Sequence, residues 1–176
     1  MSVHASATVV TVPVTRIRIE AAVPFEVLRR AFEAEVPPVD EDRFRRLVSE
    51  GAEWNVFARE SAGKGVHRFV AFWQHFPTPV MRVGGADTPS ASYLIGDYVT
   101  AARMFRHDPA TLLYTPVRIE LHAGPEGNGV LTVDQPSSQL VSFQNNKITQ
   151  AAYELDRMLG DLLEEIGLLR PSVLRR

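Results

Sequence analysis

Polar and apolar residues alternate along some stretches of this chain and step by three and four along others. Arg16-Ile17-Arg18-Ile19-Glu20 alternates cleanly, the pattern of a half-buried strand. Pro24 then opens a helix where a missing N–H costs nothing, and Phe25, Leu28, Ala31, Phe32 and Val36 form its apolar stripe up to Pro37-Pro38. Asp40 caps a second helix with Phe44, Leu47 and Val48 inside and Gly51 at its left-handed end. Residues 54–60 and 66–76 read as strands around a turn at 61–65, and 80–83 as a further short strand. A strand at 91–95 leads into a short helix over 98–107. Residues 115–122 and 130–134 pair as a hairpin through a glycine-rich turn. Ile148, Ala152, Leu155, Leu159, Leu162, Ile166 and Leu169 mark the longest helix, capped by Asn145 or Asn146.

This order predicts an α+β fold. A mainly antiparallel sheet carries helices on one face, in two layers, with a long C-terminal helix. Residues 1–14 read as a flexible segment without the features of a signal peptide, 15–169 as one domain, and 170–176 as a frayed basic tail. One strand departs from the pattern. Over 66–76, Phe69, Ala71, Trp73 and His75 point one way and Val70, Phe72, Gln74 and Phe76 the other, so both faces are largely apolar. A sheet with one wet face should alternate. The second face is therefore expected to be covered by a pocket, a dimer partner or a loop.

The net charge of −2 over 176 residues gives no electrostatic reason to expect nucleic acid or an anionic membrane. No apolar run approaches membrane-spanning length. The absence of cysteine excludes disulfides, thiolate metal sites and a cysteine nucleophile, and it suits a cytoplasmic setting.

Several pieces share the spacing of a known family. They are Phe72-Trp73-Gln74-His75, Ile95-Gly96-Asp97-Tyr98, Met104, Pro116-Val117-Arg118, Asp134-Gln135-Pro136-Ser137 and Leu155-Asp156. Over roughly residues 53 to 167 the chain resembles the family called domain of unknown function 302. The resemblance implies a two-layer fold similar to that of the TATA-binding protein, often dimeric, and carries no common activity. Two departures stand out. The family's Gly-Asn-Pro is Gly96-Asp97-Tyr98 here, and the aspartate expected before the histidine is Gln74.

Each chemical candidate has a structural alternative. His75, ending an apolar strand, has the residue type for proton transfer near neutrality, or is a histidine hydrogen-bonded at a strand end. Asp97 and Asp108 read as successive helix caps, with His107 favourable in a last helical turn. Arg103 and Arg106 share a helix face and, with Arg118, would suit a carboxylate or phosphate, or else pair with surface acids. Asp134 to Ser137 forms a turn or a pocket rim. The histidines lack metal-ligand spacing; His67 and His75, on one strand, would stand about 26 Å apart. No phosphate loop, dinucleotide fingerprint or nucleophile elbow is present.

These readings predict a pocket between the sheet and the C-terminal helix for a small apolar or aromatic ligand. Trp73, Phe69, Tyr93, Phe105 and Tyr114 would line it, and His75, Arg103 or Asp134 would anchor the ligand. If it is an enzyme, His75 would act without metal or cofactor in an isomerase, cyclase or lyase type of step. The alternatives are a non-catalytic homodimeric interaction protein and, more weakly, a haem or other flat-cofactor binder using His75.

Overall fold

In the computed structural model, which describes residues 4–63 and 65–175, five strands form one antiparallel sheet. They are β1 (Arg16–Pro24), β2 (Val70–His75), β3 (Ser90–Gly96), β4 (Val117–Ala123) and β5 (Asn128–Asp134), in the order β1-β5-β4-β3-β2. The helices are α1 (Phe25–Glu35), α2 (Glu41–Ser49), α3 (Trp54–Ser61), α4 (Thr78–Val83), α5 (Tyr98–Phe105), α6 (Pro136–Leu140) and α7 (Asn146–Glu165). The α+β class, the antiparallel sheet and the long C-terminal helix expected from the sequence are all present.

Alternation decides which side of the sheet each residue serves. Ile17 and Ile19, Tyr93 and Ile95, Ile119 and Leu121, and Leu131 and Val133 turn inward. They share one core with Leu28 and Phe32 of α1 and Leu155, Leu159 and Leu162 of α7. Their neighbours Arg16, Arg18, Ser92, Leu94, Arg118, Glu120, Thr132 and Asp134 take the opposite face and stay partly or fully exposed. Asp40, Asp97, Asp108 and Asn145 cap their helices as the sequence predicts, each side chain accepting at least one backbone N–H.

Three elements differ from expectation. Residues 54–61 form α3, not a strand, because Phe57 packs against Phe44 of α2 and Tyr98 of α5, with ring centroids 5.5 Å apart in each case. Residues 78–83 form α4, opened by Pro79 near its first position, where proline favours a helix over a strand. The strand expected over 66–76 starts only at Val70, and its pairing with β3 shifts between Ala71 and Trp73. Ala71 lies opposite Ile95 on the core face, whereas Trp73 lies opposite Leu94 on the other. A one-residue bulge reverses the facing of everything beyond it. The doubly apolar pattern therefore reflects a strand that changes sides at Phe72. It does not reflect two covered faces: Trp73 is 46% exposed.

The chain after α7 also differs from a frayed tail. Arg170 returns along α7, bonding Asp161 at 2.7 Å and the carbonyl of Arg157 at 3.1 Å, and Leu174 is buried in the core. Met1 to Val3 of the expected flexible segment, Lys64 of the expected turn and Arg176 of the tail lie outside the described residues, and residues 4–14 carry no helix or strand.

Candidate functional site

Most of the space between the sheet and α7, the expected place of a pocket, holds packed core, and a small cavity remains beside Ile95 and Leu155. Tyr93, expected to line it, is 1% exposed. Its hydroxyl donates to Glu33 at 2.8 Å, and Arg29 holds the same carboxylate at 3.0 Å. Burial and that neighbouring carboxylate push the phenol well above its usual range, so Tyr93 stays neutral. Phe69 is buried in the core as well.

The remaining expected residues do not converge on one site. His75 lies exposed on edge strand β2, stacked on Trp73 with centroids 5.4 Å apart. Arg103 sits on the helical side, paired with Glu154. Phe105 is 45% exposed on α5. Tyr114 and Asp134 do share a site, on the open face of the sheet.

That site is a groove of about 550 Å³ across the β3, β4 and β5 surface. Leu94, Leu112, Leu113, Tyr114, Pro116 and Pro136 give it apolar walls, and Arg16, Arg118, Glu120 and Asp134 supply charge. Most of that charge is already engaged. Arg16 binds Asp134 at 2.8 and 3.2 Å, which also raises the arginine pKa, and Ser92 donates to Glu120 at 2.5 Å. The Arg118 side chain has no hydrogen bond or ion pair among the described residues. It is an exposed cation opposite Leu94, in a groove with both apolar and charged walls.

A second cavity, about 100 Å³, lies around the strand end from this groove. Phe72, Ile95, Tyr98, Ala101, Val117 and Leu155 line it, and Leu112, Pro116 and Val117 belong to both spaces. Gly96 is needed here, since a Cβ at that position would come within 2.7 Å of the Phe72 ring. Burial raises the pKa of the Tyr98 phenol, with Glu41 adding to the shift.

Two polar clusters inside the protein are structural. Asp156 is fully buried and accepts from Gln135 Nε2 at 2.6 Å, Ser137 N at 3.0 Å and Ser137 Oγ at 2.6 Å. The turn over 134–137 thus divides, with Asp134 on the open face and Gln135 and Ser137 tied to α7. Asp97 accepts from Val99 N, Thr100 N and Thr100 Oγ1, and Arg68 pairs with it at 3.3 Å.

A third cluster escapes sequence reading because its members are far apart in the chain. One donor atom each from Glu35, His67 and Glu165 lies within 4.8 Å of the others. His67, expected on the β2 strand, sits fully buried in the preceding loop. Its Nδ1 accepts from Phe69 N–H at 2.9 Å, which puts the proton of the neutral ring on Nε2. Nε2 lies 3.2 Å from Glu165 Oε2 without the alignment of a hydrogen bond. A cation on Nε2 would need the ring proton on Nδ1, facing the Phe69 N–H. The cluster therefore suits a buried neutral histidine better than a metal ion. Burial lowers the His67 pKa, against the raising effect of Glu165, Glu35 and Asp161.

No protein-family model matches the chain, and no curated protein matches it. Among solved structures it is similar to an uncharacterized conserved protein of the domain of unknown function 302 from Bacillus stearothermophilus. The likeness has a TM-score of 0.60 at 14% identity and covers 86% of this chain and 97% of the other. The fold expected from the sequence resemblance is thus the fold the chain shares with that protein.

Proposed function

We propose that this protein binds a small amphipathic carboxylate in the open-face groove and does no chemistry on it. The observation that carries the reading is Arg118, whose side chain has no ion pair among the described residues, in a groove that also holds Leu94, Leu112, Leu113 and Tyr114 and whose acids Asp134 and Glu120 are engaged by Arg16 and Ser92. A guanidinium offers two parallel N–H groups to a carboxylate, and the apolar walls beside it give the rest of an amphipathic ligand a surface to cover. Binding is favoured over catalysis because His75, the best proton-transfer candidate in the sequence, stands exposed on the edge strand and is absent from the groove lining. The Gly96-Asp97, Met104 and Asp134-to-Ser137 pieces, together with the shared fold, support placing the chain as a distant member of the domain of unknown function 302 family.

Calorimetric titration with phenylacetate and phenylacetamide tests the reading. The acid should bind and the amide should not, and Arg118→Gln should abolish acid binding. Equal behaviour of acid and amide would overturn it.

A second reading has its own observation. The β2 bulge places Trp73 exposed on the open face, next to Leu94, on an edge strand. Homodimerisation through this face would cover it. Sedimentation equilibrium at micromolar concentration decides the point, and a strict monomer rules it out.

A further inference from the structure

The open groove and the smaller cavity are separated only by side chains they share. Leu112 and Pro116 stand between them, and Leu112, 49% exposed on the 3-10 turn Pro109–Leu113, has little to hold it in place. The cavity wall is almost wholly apolar. Of its three polar side chains, two are occupied elsewhere, the Asp97 oxygens by the α5 N-terminus and Arg68 and Thr115 Oγ1 by the carbonyl of Thr111 at 3.4 Å, while the Tyr98 hydroxyl makes no hydrogen bond among the described residues. An ordered water needs two to four polar partners, and a single phenol hydroxyl falls short of that. Protein interiors do not normally leave such volume unfilled.

We infer that the small cavity receives the apolar end of the same ligand, with Leu112 as the side chain that moves aside. The inference rests on the carboxylate reading of the groove and adds the ligand class: acids carrying one short aryl or branched alkyl group. The carboxylate lies on Arg118 in the groove, and the tail passes Pro116 to reach Ile95, Tyr98 and Leu155. Benzene-sized groups are the natural occupants of dry apolar cavities of this order.

Titration of the full chain with propanoate and 4-phenylbutanoate tests it. The aryl acid should bind at least about tenfold more tightly than propanoate. Ala101→Leu, which fills the cavity, should bring the two affinities together. If the tenfold preference survives Ala101→Leu, the tail lies in the open groove and the inference is overturned while the carboxylate reading stands. If neither acid binds, the carboxylate reading fails and takes the inference with it. Xenon-perturbed methyl spectra of the unaltered protein provide a readout that needs no variant. Xenon should shift the methyl resonances of Ile95, Val117 and Leu155, and 4-phenylbutanoate should abolish those shifts. Shifts that persist with the acid bound would overturn the inference.

Discussion

The two faces of the sheet treat their polar groups differently. On the helix-covered face the Tyr93 hydroxyl and the Asp156 carboxylate are answered from within the protein, and of the buried side chains described only His67 keeps a ring nitrogen without a hydrogen bond. Tyr93 meets Glu33, and Asp156 meets Gln135 and Ser137. An unanswered polar group in such a dry interior would cost more than its hydrogen bond returns, so these networks are complete. On the open face water is available and completion is not required. There Asp134 holds Arg16, yet Arg118 remains unpaired among the described residues. Completed polar groups hold the fold together, and an incomplete one beside apolar walls is where a ligand would add something.

The largest expected differences between the faces are in stability. Leu131→Ala, on the buried face of β5, should lower the unfolding free energy by about 3 kcal/mol, whereas Thr132→Ala next to it should change it by no more than about 0.5 kcal/mol. Urea denaturation of both variants measures the contrast, and similar losses would mean that the open face is also covered. Asp156→Ala should cost about 3 kcal/mol, because it strands two Ser137 donors in the interior and leaves Gln135 Nε2 with only the Val173 carbonyl. A loss under about 1 kcal/mol would show that the network contributes little.

The Arg118→Gln variant inverts that ranking. It should leave urea stability within about 0.5 kcal/mol of the original and remove acid binding, so a large destabilisation would reveal a structural role for the arginine. A smaller effect concerns pH. The folded His67 pKa is lowered by burial, so the unfolded chain takes up its proton first as pH falls. The stability held by neutral His67 is complete above about pH 6.5 and is lost between there and the lower folded value. The difference in Tm between the unaltered protein and His67→Gln should therefore shrink from pH 7.5 to pH 5.5, and a difference independent of pH would mean that the ring does not titrate in that range. The smallest effect expected is that of His75→Ala, which should leave both acid affinity and stability nearly unchanged.

Much of the fold could be read in the sequence because its signals are local. Each of the four caps needs only one side chain and the two or three residues after it, and α7 repeats its apolar spacing over five turns. The failures came where a distant partner decided the outcome. Val56 and Phe57 suit a strand by propensity, but contacts with Phe44 and Tyr98 make 54–61 a helix. The bulge at Phe72 leaves no mark in an apolar run, and it carried Trp73 and His75 to the open face. Arg118 was readable as a polar residue on an alternating strand. Its lack of a partner was not, since that depends on where Arg16, Asp134, Ser92 and Glu120 send their side chains. The Glu35, His67 and Glu165 cluster joins three parts of the chain that no spacing rule connects.

The alternation of the strands also bears on how such a protein can diverge. Ser92, Leu94, Arg118, Glu120, Thr132 and Asp134 lie outside the core on alternate positions of β3, β4 and β5, so selection can rewrite the groove one position at a time without disturbing Ile95, Ile119 or Leu131. Recognition and foldability are then inherited almost separately. Two chains 14% identical, with a TM-score of 0.60, share an architecture although most of their residues differ.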